Sequence, residues 1–128
     1  MELKVSGVIK PDPIRFMINV GRSTENIALH FNPRFNIYGD VRTIVMNSKE
    51  GNSWKEEQRD GNFPFEAGKE FEVTIVFNFD TFDIYLANGD KLQFPNRLGD
   101  KKYKYIYFGG DATIQRITVE PSTKPTKR

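Results

Sequence analysis

Three residues at alternate positions, His30, Asn32 and Arg34, set an imidazole, an amide and a guanidinium among the apolar residues Ile27, Leu29, Phe31, Pro33 and Phe35. Alternate side chains of a pleated strand share a face, and each two-residue step advances about 6.6 Å. The spacing therefore predicts the apolar set turned into a core and the three polar groups in a row outside it. A second run repeats the arrangement, with Ile44 and Met46 facing one way and Thr43, Val45 and Asn47 the other, so that Asn47 can lie beside the row. Gly51 to Ser53 turns the chain, and Trp54, Glu57 and Arg59 follow within six residues.

These groups together have the chemistry of a sugar binder. A pyranose presents hydroxyls that donate and accept, which suits an amide with both roles, a guanidinium fork, a carboxylate with two acceptor oxygens and a neutral imidazole with one role of each kind. Its carbon face needs a flat apolar partner, and an indole is the best available. Trp54 is the only Trp and lies in a polar, Gly-flanked stretch, which predicts that it is exposed. Each residue alone has a plainer reading. A polar row is commonly the solvated face of an antiparallel sheet, and Glu57 with Arg59 is commonly a surface ion pair. It is their joint occurrence that points to a site. The row Tyr103, Tyr105, Tyr107 reads as packing and not as a second ligand platform, and Phe94 and Ile106 as core or sheet residues.

The elements that must position these groups are strands. Short alternating runs closed by Gly, Pro, Asn or Asp recur along the chain, which predicts an all-β fold, an antiparallel two-sheet β-sandwich of the jelly-roll kind. Candidate strands cover 3–9, 14–20, 26–31, 43–48, 69–78, 81–86, 91–94, 103–108 and 112–120, with a hairpin turn at Asn88-Gly89-Asp90. Phe71, Val73, Ile75 and Phe77 share one face, as do Phe82, Ile84 and Leu86, and both sets are core candidates. Residues 1–120 read as one domain and 121–128 as a basic Pro/Thr/Lys tail too polar to stay ordered.

Composition removes several function classes. With 128 residues, 38% hydrophobic and 28% charged, the chain is globular in character, and a net charge of +2 argues against a nucleic-acid binder. The absence of Cys and a single His leave no thiolate chemistry and no conventional metal site, so no cofactor is expected. No apolar window long enough for a transmembrane helix and no secretory signal are present, so synthesis in the cytosol is expected.

The segments His30-Phe31-Asn32-Pro33-Arg34, Val45-Met46-Asn47 and Trp54-Lys55-Glu56-Glu57-Gln58-Arg59, at these separations, resemble the galactose-binding signature of the galectins. Phe63-Pro64-Phe65 and Phe94-Pro95-Asn96-Arg97-Leu98 are similar to that family too, and the likeness runs from Leu3 to Glu120. The resemblance implies that His30, Asn32 and Arg34 hold the axial O4 of galactose, with Arg34 also reaching the ring oxygen. It implies that Asn47 and Glu57 hold O6, that Trp54 stacks on the apolar face, and that Arg34, Glu57 and Arg59 contact the adjoining glucose or N-acetylglucosamine. Glu57 would then lie between two guanidinium groups and stay ionised. Asp40 is a further anchor for Arg59, Val45 an accessory position, and Tyr38 replaces a His common in the family. The implied partners are β-galactoside glycans of glycoproteins or glycolipids, such as lactose and N-acetyllactosamine. The implied locations are the cytosol and the cell exterior, reached without a signal peptide. Family members usually carry one more strand ahead of the stretch that matches Leu3 to Ile9, which leaves a homodimer, an altered dimer or a monomer as alternatives.

A glycosidase would need two carboxyl groups flanking one bond, and no second carboxylate joins Glu57. An intact polar set also favours binding over a galectin-fold structural or interaction protein with weak or altered glycan binding. Protonation of His30, at its ordinary value, would weaken binding below roughly pH 6.

Overall fold

The alternating runs fold as strands. The structure, a computed structural model, describes residues 1–121; residues 122–128, most of the expected tail, lie outside the described residues. In chain order the strands are β1 (Glu2–Ile9), β2 (Phe16–Gly21), β3 (Ile27–Ile37), β4 (Asp40–Glu50), β5 (Ser53–Trp54), β6 (Gln58–Asp60), β7 (Glu70–Phe77), β8 (Thr81–Leu86), β9 (Lys91–Pro95), β10 (Tyr105–Gly110) and β11 (Ala112–Glu120). One sheet has the order β11-β1-β7-β8-β9 and the other β10-β2-β3-β4-β5, with β6 also paired to β4. All pairings are antiparallel. This is the expected all-β sandwich.

Its core is the apolar half of each alternation. Phe71, Val73, Ile75, Phe82 and Ile84 from one sheet meet Phe16, Ile18, Leu29, Phe31, Ile44 and Met46 from the other. Phe63 and Phe65, on the segment between β6 and β7, fill the space between the sheets. Phe65 stands edge-on to Phe16 at 5.3 Å and to Phe63 at 5.4 Å. Such T-shaped pairs add to the gain from burial, and truncating a buried Phe typically costs about 3–5 kcal/mol.

Several boundaries differ from the sequence reading, each for a local reason. The second strand starts at Phe16 and not Ile14, because the Asp111 carboxylate takes the N–H groups of Ile14 and Arg15. β3 and β4 run beyond the apolar alternation into a tight hairpin, closed by Tyr38 and Gly39 at φ 54° and 82°. The backbone ladder continues there without a core to cover. β10 starts at Tyr105, since Tyr103 leaves the row and buries its ring against Phe77 and Phe82. Its hydroxyl bonds to the Asn96 side chain.

The predicted face of Ile27 is also corrected. Between Ile27 and His30 the β3–β4 register advances three residues on β3 for two on β4, and a matching irregularity separates Val20 from Gly21. This bulge admits one extra residue and reverses the alternation. Ala28 joins the core, and Ile27 lines the outer groove.

Candidate functional site

The six-stranded sheet carries the polar residues in cross-strand rows. Tyr107, Asn19, His30 and Asn47 are successive partners from β10 to β4. Asn32, Val45 and Arg59 form the next row, and Arg15, Arg34 and Thr43 the one beyond. On the other side of His30 the row is Tyr105, Gly21, Ile27, Lys49 and Trp54. An open groove of about 900 Å³ runs over them.

His30, Arg34, Asn47, Trp54, Glu57 and Tyr38 line this groove. Asn32 and Val45 are buried below it. Asp40 and Arg59 stand beside it and reach it through Arg34 and Glu57. Trp54 is 49% exposed, as its setting predicted. Its ring centroid is 4.8 Å from that of His30, and the Lys49 ammonium is 5.0 Å from the indole. A cation at that distance is attracted to the ring and helps hold it in place.

The polar groups are tied together before any ligand arrives. Asn32 Nδ2 donates to the Phe16 carbonyl at 2.8 Å, and its Oδ1 accepts from Arg34 Nε at 2.9 Å. Arg34 Nη1 donates to Asp40 Oδ2 at 2.8 Å. Arg59 donates to both Asp40 oxygens, at 3.2 and 3.3 Å, and pairs with Glu57 at 2.7 Å. The carboxylate between two guanidinium groups is thus Asp40, whereas Glu57, expected in that position, holds Arg59 alone among the described residues. The reason is the β3–β4 hairpin, whose left-handed turn aims Asp40 back over the sheet. Hydrogen bonding from Arg59, and then from Arg34, holds the Asp40 carboxyl below its ordinary range; bonding to Asp40 and Glu57 raises Arg59.

His30 Nδ1 lies 2.7 Å from Asn19 Oδ1. An amide oxygen only accepts, so Nδ1 carries the proton, and Nε2 is left as an acceptor for a ligand hydroxyl. Burial pushes the imidazole down to about 4, and the charges of Arg34 and Arg15 push the same way. Asn47 is fixed by donation to the Lys55 carbonyl at 3.0 Å, while its Oδ1 accepts from the Ser48 N–H at 2.7 Å. Arg97 reaches Ser48 Oγ at 3.0 Å from the far side.

Arg15, Asn19, Lys49, Tyr105 and Tyr107 belong to the groove, although the sequence reading did not place them there. The signal was available in the alternation of β2, where Phe16, Ile18 and Val20 face the core and Arg15, Met17 and Asn19 face outward. The tyrosine row divides. Tyr103 packs as expected, but Tyr105 and Tyr107 line the groove. Gly109 makes room for Tyr107, since a Cβ there would meet the Tyr107 ring at 2.8 Å. Among the described residues no group of His, Cys, Asp or Glu could hold a metal ion.

The family described as Galactoside-binding lectin matches residues 1–119. Over 128 residues the chain is 56% identical to galactose-binding lectin l-1 of Anguilla japonica, covering all of this chain and 90% of that one. It is 44% identical to galectin-1 of Bos taurus over 118 residues, 92% of this chain and 87% of the other. Among solved structures, the Dario rerio galectin-1-L2 superposes with a TM-score of 0.91 at 50% identity, over 93% of this chain and 90% of that one. A lactose- and MES-liganded congerin II superposes with a TM-score of 0.90 at 42% identity, with the same coverage. A sandwich of this topology, bearing this match along nearly all its length, belongs to the galactoside-binding lectins, the galectin family, whose members bind carbohydrate and are not enzymes.

Proposed function

We propose that this groove binds terminal β-galactosides, lactose and N-acetyllactosamine among them, on the glycans of glycoproteins or glycolipids. The observation that carries the reading is the half-exposed Trp54 indole beside His30, next to polar groups that are already locked to one another. One wall of the groove can satisfy hydroxyls while the indole covers carbon. In this reading the axial O4 sits over Asn32, accepting from Arg34 and donating to His30 Nε2. O6 lies by Asn47 and Glu57, and the second sugar extends toward Glu57 and Arg59. The lactose-liganded congerin II, at 42% identity, supports the ligand class.

A groove this open should hold one disaccharide weakly, with a Kd around 0.1–1 mM. Retention on immobilised lactose tests the reading. The native chain should be retained and Trp54→Ala should pass through, with its circular dichroism unchanged because the indole is peripheral to the core. A native chain that fails to bind lactose, or a Trp54→Ala variant that still binds, would overturn it.

A further inference from the structure

We propose that Arg97, outside the groove, is a positioning residue for galactose O6: it fixes the Asn47 amide so that its N–H faces that hydroxyl. The proposal rests on the galactoside reading above and adds to it a residue that touches no sugar.

Arg97 stands on the segment between β9 and β10, away from the residues that line the groove. Its guanidinium carbon is 4.7 Å from the centroid of the fully buried Phe94 ring, and no carboxylate pairs with it among the described residues. A ring face steadies a guanidinium without using its N–H donors, so the fork stays free to act elsewhere. It acts on the other sheet. Nη1 donates to Ser48 Oγ at 3.0 Å and to Asn47 Oδ1 at 3.4 Å, both on β4. Ser48 is completely buried, and among the described residues Arg97 is the partner of its hydroxyl.

These contacts decide which way Asn47 faces. Its Oδ1 accepts from the Ser48 N–H at 2.7 Å and from Arg97, while its Nδ2 donates to the Lys55 carbonyl at 3.0 Å. A flipped amide would set Nδ2 against two donors and Oδ1 against a carbonyl, so one orientation is left. Nδ2 carries two hydrogens. One is spent on Lys55 and the other remains for the groove, so Asn47 meets O6 as a donor. O6 then accepts from Asn47 and donates its own hydrogen to Glu57. Lys55 is held from both ends, since its N–H donates to the Ser48 carbonyl at 2.9 Å, and this steadies the segment leading to Glu57. Trp54 is placed separately, by its own pairing with Lys49. Loss of Arg97 therefore bears on the C6 end of the galactose and leaves the stacking end alone.

Titration of the isotope-labelled chain with lactose and with 6′-deoxylactose, followed by amide chemical shifts, tests this, because shifts report binding even at millimolar Kd. On the native chain the loss of O6 should weaken binding about tenfold. Arg97→Met should weaken lactose about three- to tenfold and 6′-deoxylactose by less than about twofold, so that the advantage given by O6 shrinks by the same factor. The side-chain amide signals of Asn47 should shift in that variant. Arg97→Lys, with one ammonium in place of the fork, should recover part of the loss. Both substitutions keep an unbranched stem over Phe94, so circular dichroism should match the native chain; were Arg97→Met to unfold, Arg97→Gln carries the same comparison. Lactose bound by Arg97→Met as tightly as by the native chain, an equal weakening of both sugars, or a native chain indifferent to O6 would each overturn the proposal and leave the galactoside reading standing. Failure of the native chain to bind either sugar would overturn both.

Discussion

The environment of His30 changes what acid should do to this lectin. If His30 titrated at its ordinary value of about 6.5, and only the neutral ring accepted the sugar hydroxyl, apparent lactose affinity would fall about fourfold at pH 6 and about thirtyfold at pH 5. Held at about 4 by burial and by the charges of Arg34 and Arg15, the same ring is about one-tenth protonated at pH 5. Affinity at pH 5 should then lie within about 20% of that at pH 7, and it should halve only near pH 4. The fall below roughly pH 6 expected from sequence is revised accordingly. Stability is linked with a definite sign. The unfolded chain takes up this proton below about 6.5 and the folded chain does not until about 4, so stability present above pH 6.5 is lost as pH falls through that window. Its full extent is about 3 kcal/mol. Lactose titration calorimetry from pH 7.5 to 4.5, together with the Hε1 proton resonance of the single His, measures both quantities. A resonance midpoint above about 5.5, or a tenfold weakening at pH 5, would refute the reasoning.

Other consequences follow from the same contacts. Asn19→Asp places a carboxylate where the amide oxygen meets His30 Nδ1 at 2.7 Å; it should raise the imidazole and bring the acid limb of lactose binding up toward neutrality in the same titration. Asp40→Asn removes the carboxylate shared by Arg34 and Arg59, so lactose affinity should fall by about tenfold or more on calorimetry while circular dichroism still reports a folded chain. Gly7→Ala, where a Cβ would sit 2.1 Å from the Thr113 carbonyl oxygen, should lower the urea midpoint by an amount equivalent to about 1–3 kcal/mol and leave lactose affinity intact.

What could be read from the chain was whatever depends on alternation within one strand. Phe71, Val73, Ile75 and Phe77 face the core because a period of two admits no other arrangement, and His30, Asn32 and Arg34 share a row for the same reason. What depends on two strands at once was not legible. The bulge at Ala28 needs Gly21 and Lys49 as partners before its extra residue can be seen, and without it Ile27 falls on the wrong face. Asn19 is an ordinary amide until the β2–β3 register sets it opposite His30. Asp40 looked like an accessory because its reach depends on positive φ at Tyr38 and Gly39, and Tyr gives no warning of that conformation. The alternation of Tyr103, Tyr105 and Tyr107 alone points to packing for Tyr107, and only the bare Gly109 beside it frees its ring to lie along the groove.

The hydrogen-bond directions explain why residues of such mixed character make one coherent surface. The Phe16 carbonyl can only accept, so the Asn32 amide must turn its Nδ2 downward, and its Oδ1 then has to face Arg34 Nε. A guanidinium only donates, so Arg34 continues to Asp40, and Asp40, able only to accept, gathers Arg59, which passes on to Glu57. The buried Asn32 amide cannot flip without setting its Oδ1 against the Phe16 carbonyl and its Nδ2 against Arg34 Nε. The main chain of β2 thereby fixes the polarity of the whole wall. After these internal bonds are made, His30 Nε2 remains as an acceptor, Arg34 Nη2 as a donor and a Glu57 oxygen as an acceptor. Successive acceptor, donor and acceptor is a pattern that a row of hydroxyls can answer, because each hydroxyl can take either role. A carboxylate or an ammonium ion could not answer it, since each offers one role only.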